Sequence, residues 1–427
     1  MSFRNRLGLT VIVNIFLTIV SFGTSVFAAR LFGAQGRGEL TAIWIFPMLV
    51  SSLALLGLPD ALVYFTARSP EKAGRILTTS ILTGLLVSMP VMVVTYFFLP
   101  PLLEAQSPET ISFARVFLLF IPINALTGFF SLALRGKNDL AYWNLTRIIP
   151  PLIWFCLLFV NLVSMKRSSP GNLSNHYLLW LLLSGFLVMV LVLGRVRGSY
   201  RPDFRDLRPM LKFGIPALFG SIPSILNLRL DQIVMVGNMI PENLGLYVTA
   251  VGYSGITISI TGALASIIVP DIAGIEDGAE KTLKMVRSFR IGSLIASGMV
   301  VLLVICASWV IPLIYGNEFS RVIPVAMILC LSSGIAGMNA ILENGALGLG
   351  YPGYVFIAEI CGFIVTGVLL LILLKPWQLY GAAVASVASY FFVLVILIIL
   401  ISKKTRMPVR GLLIPTLTEL RSLLSNE

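Results

Sequence analysis

Charge, histidine and cysteine are all scarce in this chain of 427 residues, and each scarcity removes a class of function. His176 is the only histidine and has no cysteine or acidic cluster beside it, so a histidine-based triad or zinc site has nothing to build on. Cys156, Cys306, Cys330 and Cys361 fall singly inside apolar runs. There they act as small packing residues, with no disulfide framework or metal site implied. Charged residues make up 12% of the chain, where a soluble domain carries roughly 25%. Hydrophobic types reach 57% and the mean hydropathy is +0.94, a composition that needs lipid around it.

What is present is a series of long apolar runs. A helix needs about 20 mostly apolar residues to cross the hydrocarbon layer. Runs of that length occupy 7–29, 40–64, 76–99, 110–134, 144–164, 177–194, 212–237, 245–270, 290–314, 323–347, 354–374 and 379–401. Stretches such as 291–312 and 382–401 are apolar on every side, which excludes the alternating strands of a membrane barrel. The fold class is therefore all-α integral membrane, with about twelve transmembrane helices. Arg4 and Arg6 ahead of the first run imitate a secretory signal, but that run is too long for one and is taken as helix one.

Basic residues collect on the cytoplasmic side of a membrane protein. With alternating loops, the side of the N-terminus holds 22 of the 31 lysines and arginines, the opposite side holds 6, and Arg115, Arg147 and Arg229 lie within spans. Both termini are thus expected in the cytoplasm. The same distribution accounts for the net charge of +12: the clusters at 195–212 and 281–290 fix topology and touch anionic membrane lipids. No segment between spans has room for a nucleic-acid recognition module, so no nucleic-acid partner is expected.

The basic loop 195–211 divides the chain into an N-terminal six-helix lobe (1–200) and a C-terminal six-helix lobe (201–402), followed by a basic cytoplasmic tail (403–427). An even number of spans per half makes any internal repeat parallel. Weak correspondences exist. Gly38-Glu39-Leu40 enters helix two as Gly245-Leu246-Tyr247 enters helix eight, and Pro59-Asp60 closes helix two much as Pro270-Asp271 closes helix eight.

Several short motifs in order along the chain carry a family resemblance. They are Ala29-Arg30-Leu31-Phe32-Gly33, Leu230-Asp231-Gln232-Ile233 leading to Gly245–Ala250, Ile314-Tyr315-Gly316-Asn317-Glu318-Phe319, the turn 348–353, and Tyr380-Gly381-Ala382-Ala383. On these the chain resembles the polysaccharide-transport and O-antigen flippase branch of the multidrug/oligosaccharidyl-lipid/polysaccharide exporter superfamily. The resemblance implies two pseudo-symmetric lobes around a central cavity and alternating access. It also implies movement of an undecaprenyl-diphosphate-linked oligosaccharide from the cytoplasmic to the outer leaflet of a bacterial inner membrane, with the glycan polymerase machinery as a partner.

Ionisable groups inside a span are costly unless they face water or a partner, which makes each a candidate for the pathway. Counted at about 1.5 Å per residue along straight helices, Arg30, Arg115, Arg229 and Asp231 lie toward the outer side. Asp60, Arg147, Glu343 and Glu359 lie toward the cytoplasmic side, with the neutral Asn124, Ser259 and Thr261 between. Two cationic tiers with a neutral middle suit a diphosphate, which makes Arg30, Arg147 and Arg229 the expected substrate contacts. Arg30, Arg115 and Arg147 equally suit snorkelling to an interface, and Asp60 a helix cap or a pairing with Arg68. Arg229 and Asp231, far along helix seven and two residues apart, point to nearly opposite sides of it. Glu343 and Glu359 admit two readings, a proton or sodium coupling site and structural partners of Arg147. No other cofactor is expected, although the membrane potential itself favours outward movement of an anionic head group.

Three competing functions remain at this level. A drug or cation antiporter of the same superfamily shares the fold but wants acidic or aromatic cavity walls. A glycan polymerase or ligase needs a sizeable outer loop with acid, base or metal ligands; the longest here is about a dozen residues around Lys166–His176, so no enzyme is expected. A non-transporting scaffold of polysaccharide synthesis predicts that the intramembrane charges tolerate neutral replacement.

Overall fold

The computed structural model describes residues 3–164, 168–196, 198–273, 275–405 and 408–413. Among these residues there is no strand. The helices are α1 (Phe3–Ala54), α2 (Leu58–Arg68), α3 (Ala73–Leu102), α4 (Pro108–Phe117), α5 (Phe120–Gly136), α6 (Leu140–Val163) and α7 (Pro170–Leu193). They continue as α8 (Leu207–Asn227), α9 (Leu230–Asn238), α10 (Pro241–Ala273), α11 (Gly278–Tyr315), α12 (Ile323–Gly348), α13 (Pro352–Thr405) and α14 (Val409–Leu413).

Ten of the helical stretches are long and apolar enough to cross a membrane. Two of them, at 47 and 54 residues, are long enough to cross twice, since about 20 residues suffice for one pass. Both are interrupted where the sequence places a gap between runs. Gly33 breaks α1 with φ 66 and ψ −172, and Gln378, two residues after Pro376, breaks α13 with φ 46 and ψ −121. Counting those two as double gives the twelve spans read from sequence. The side chains left outside the packing agree: Leu371, Leu313, Trp309, Leu86 and Phe97 are all at least 70% exposed. Large apolar residues stand that far out only where lipid replaces water. The chain is a multi-pass membrane protein.

Two compact units can be separated, Met1–Ile222 with Gln232–Val248 and Pro223–Asp231 with Thr249–Glu427. In the first, Leu58, Leu62, Leu77, Phe129, Val192 and Met210 belong to one core formed by α2, α3, α5, α7 and α8. In the second, Ile272, Met285, Phe289, Ile341, Leu342 and Leu397 do the same for α10 to α13. The linker between α7 and α8 is tied to α3. Arg75 reaches Asp203 at 3.2 Å and Asp206 at 2.7 Å, and the Thr79 hydroxyl accepts from the Asp203 amide at 3.1 Å. On the same linker Tyr200 donates to the Val196 carbonyl at 2.6 Å, and burial raises its hydroxyl above the ordinary phenol value.

Several boundaries differ from the sequence reading. Helix two breaks at Leu56 and Gly57, both left-handed (φ 50 and 71), before α2 begins. Helix seven ends at Asn227 and restarts at Leu230. The basic segment 281–290 is no loop but the first turns of α11. Of the outer loop around Lys166–His176, residues 165–167 lie outside the described residues, and α7 already starts at Pro170. Most of the tail, 414–427, also lies outside them.

Within the first unit, the closest approaches of backbone to a glycine fall at two crossings. A Cβ on Gly38 would stand 1.8 Å from the Pro241 carbonyl oxygen, and one on Gly245 1.8 Å from that of Ala34. The two turns that correspond in the weak repeat therefore pack on one another. At the other crossing, a Cβ on Gly57 would stand 1.9 Å from the Gly214 carbonyl oxygen.

Candidate functional site

The sequence candidates separate into two groups, one in each unit. In the first unit the centre is Arg147, on the second turn of α6. Its Nη2 donates to Asn14 Oδ1 on α1 at 2.7 Å and its Nη1 to Asn144 Oδ1 at 3.5 Å. Asn144 in turn donates to the Thr10 hydroxyl at 2.9 Å. The guanidinium carbon lies 4.7 Å from the centre of the Trp143 ring, and that of Arg135 lies 5.2 Å from the same ring. No carboxylate lies within 4 Å of Arg147 among the described residues; the ion pairs found there belong to Arg75. Arg147 is thus a half-buried cation held by neutral amides and an indole, with its charge uncompensated.

Elsewhere in the first unit, Asn124 donates to the Ser51 hydroxyl at 2.9 Å. Asp60 is exposed in the first turn of α2 and forms no ion pair with Arg68, while Arg30 is exposed on α1 three residues before the break at Gly33. Arg115 lies against the Tyr96 ring at 4.5 Å, which suits an interfacial side chain.

The second unit assembles a buried polar cluster. Asn227, the last residue of α8, donates to Glu359 Oε2 on α13 at 3.1 Å. Its Oδ1 faces the hydroxyls of Thr366 and Ser389 at 2.8 and 3.3 Å. Gly362 makes room for this, because a Cβ there would stand 3.1 Å from Asn227 Nδ2 and 2.4 Å from Val393. Glu359 is buried, and the Glu343 carboxyl on α12 interacts with it directly. Tyr390 is partly buried and lies within electrostatic reach of Asp231, Glu343, Glu359 and Arg229. Asn339 donates to the Tyr390 carbonyl at 2.9 Å. No group of three or more histidine, cysteine or acidic residues suited to a metal occurs among the described residues.

This corrects the two-tier arrangement. Asp231 and Arg229, placed toward the outer side by counting, share a neighbourhood with Glu343 and Glu359, placed toward the inner side. Counting depth assumes a straight helix along the membrane normal, whereas helix seven carries Gly214, Pro216, Gly220 and Pro223 and is broken after Asn227. Arg229 accordingly sits in the break and is exposed, while Asp231 is buried in the first turn of α9. Sequence reasoning missed Asn227, Thr366, Ser389 and Tyr390 here, and Trp143 with Arg135 in the first unit. A lone asparagine two residues before Arg229 was the one available signal.

Comparison with known proteins follows the same outline. The matched stretch of a probable low-salt glycan biosynthesis flippase, Agl15 of Haloferax volcanii, is 22% identical over 227 residues, 52% of this chain. It spans about half, 48%, of that relative's length. The structure of the lipid II flippase MurJ in an inward closed conformation agrees with a TM-score of 0.78 at 16% identity, over 97% of this chain and 91% of that one. An inward-facing multidrug resistance MATE family transporter of the MOP superfamily agrees with a TM-score of 0.71 at 15% identity, over 93% and 99%. The two structural likenesses show a shared fold. The family described as polysaccharide biosynthesis protein matches residues 26–324. With that match spanning well over half of the chain, the chain belongs to the polysaccharide biosynthesis protein family.

Proposed function

We propose that this protein is a flippase that carries a polyprenyl-diphosphate-linked oligosaccharide, an undecaprenyl-linked O-antigen or exopolysaccharide repeat unit, from the cytoplasmic to the outer leaflet of a bacterial inner membrane. The observation that carries the reading is the environment of Arg147. A guanidinium offers paired N–H donors matched to phosphate oxygens and stays charged at any working pH. One held only by Asn14, Asn144 and Trp143 keeps its charge available to an anionic head group. Arg30 and Arg229, both exposed, are further contacts for the diphosphate in this reading, and Asp60 and Asn124 are polar groups of the path. Both termini lie in the cytoplasm, and the glycan polymerase machinery receives the product.

Transport proceeds by alternating access, with the glycine crossings at Gly38/Gly245 and Gly57/Gly214 as its outer and inner closures. The Asn227–Glu343–Glu359–Asp231 cluster serves coupling to protons or sodium, because a buried carboxyl pair exchanges a cation more readily than it tolerates two charges. The membrane potential adds outward drive on the diphosphate, about 2.3 kcal/mol per charge per 100 mV.

Replacement of Arg147 by alanine is expected to abolish surface polysaccharide at normal membrane abundance, and by lysine to restore part of it. Losing a charge-assisted contact weakens binding by about ten- to hundredfold. Full complementation by Arg147→Ala at wild-type abundance would overturn the reading. The second reading, a cation antiporter, draws on the acidic cluster in the second unit. It predicts that cells expressing the protein export cationic dyes, and that Arg147→Ala leaves that export intact.

A further inference from the structure

A second cationic site lies on the first unit, away from Arg147's amide partners. α5 ends at Gly136, and the chain turns through Lys137, Asn138 and Asp139 before α6 begins. Asn138 takes a left-handed conformation, φ 59, that lets its amide reach the Arg135 carbonyl at 2.9 Å and the next amide reach that of Leu134 at 2.9 Å. The turn is therefore fixed by its own backbone. Arg195, just past α7, lies flat against the Tyr142 ring, 3.4 Å from its centre, and donates to the Leu191 carbonyl at 3.1 Å. Lys137 donates to the carbonyl of Arg195. Beside them opens a pocket of about 460 Å³ whose lining includes Lys137, Asn138, Asp139, Leu140, Ala141 and Arg195.

Charge and size decide what such a pocket takes. Among the described residues neither Lys137 nor Arg195 has a carboxylate within 4 Å, and Asp139 is the one acid in the lining, so the lining carries a net positive charge. Each cation is anchored by backbone or ring contacts, so little ordering cost remains on binding an anion. The volume far exceeds the ~30 Å³ share of one water. Leu140 and Ala141 in its lining offer no partner to a free ion but suit a glycerol or acyl stem. The basic-residue distribution puts this turn at the cytoplasmic head-group level, where anionic lipids are enriched and attract fixed cations.

We propose that this pocket binds the phosphate of an anionic phospholipid of the cytoplasmic leaflet. The assignment rests on the proposed orientation, with the termini in the cytoplasm, but uses none of the residues proposed to contact the transported diphosphate. Its occupant sits against the first turn of α6, one residue from the Trp143 ring that carries Arg147.

The test uses the purified full-length protein in detergent, titrated with phosphatidylglycerol, phosphatidylcholine or inorganic phosphate, with bound species read by native mass spectrometry and by thermal shift. Phosphatidylglycerol is expected to bind at least tenfold more tightly than either alternative. Lys137→Gln with Arg195→Gln should weaken it about tenfold, while Arg201→Gln with Arg205→Gln, an equal loss of charge on exposed residues of the neighbouring linker, should not. Ala141→Trp, which fills the pocket and leaves both cations in place, should also displace the lipid, and covers the case in which the double glutamine variant fails to fold. Equal weakening by both double variants, or unchanged binding in Ala141→Trp, would reduce the effect to rim electrostatics and overturn the proposal. Inorganic phosphate binding as tightly as phosphatidylglycerol would overturn the lipid assignment in favour of a soluble phosphate.

Discussion

The proposed alternating access would make a demand on one hydrogen atom, the one that alanine would replace at Gly38. The added Cβ would stand 1.8 Å from the Pro241 carbonyl oxygen and 2.9 Å from the Pro241 Cα. Ordinary contact begins at 3.4 Å, so the crossing must open by about the 1.6 Å difference. The obstacle is backbone, and no rotamer change relieves it. Overpacking of this kind costs about 1–3 kcal/mol, which moves a two-state equilibrium about 5- to 150-fold toward the state in which the crossing is apart. Helix propensity works the other way, since alanine stabilises a helix interior by about 1 kcal/mol over glycine. A loss of function therefore reports the crossing and not the helix. Gly38→Ala is expected to lower surface polysaccharide severalfold at normal abundance. It should also raise labelling of an Ala34→Cys reporter by a membrane-impermeant maleimide in a background without the native cysteines. Wild-type complementation with unchanged labelling would refute the idea that closure of this crossing is part of the cycle.

The other expectations address separate parts of the molecule. Glu359→Gln keeps an oxygen for the Asn227 amide but removes the charge; transport should lose its dependence on a proton or sodium gradient while the protein stays folded, and retained gradient dependence would make the cluster structural. Arg75→Ala removes both linker ion pairs; the groups are partly exposed, so the loss should be about 1 kcal/mol, seen as a lower thermal midpoint in detergent with transport retained. In proteoliposomes, an imposed interior-negative potential should speed outward flipping, and a rate indifferent to the potential would remove it as a driving force.

The parts of this molecule that were legible from sequence are those governed by a one-dimensional quantity. Hydropathy decides how often the chain crosses, and it separated the runs at Gly33 and Gln378 even though helix continues almost unbroken through both. Arg147 was legible because a guanidinium inside an apolar run is expensive wherever it lies. The acids illustrate the limit. Glu359 was recognised as a buried carboxyl, but its partner was sought among cations, and the structure gives it an amide, Asn227, from a helix end 132 residues away. An asparagine, a threonine and a serine in membrane helices carry little cost and hence little signal, because each can return its hydrogen bond to its own helix backbone, as Thr366 does to Gly362. Their convergence depends on where α8 stops and on the space Gly362 leaves beside α13, and neither is written in the composition of a span. The same reasoning bears on the two cationic sites of the first unit. Trp143 and Tyr142 carry no signal of their own in the sequence, yet each supports an arginine from elsewhere in the fold, Arg135 and Arg195 respectively. A cation resting on an aromatic face needs no carboxylate to be held in place. That is why this chain, with 31 basic and 19 acidic residues, can hold arginines in fixed positions and still leave their charge for an anionic ligand.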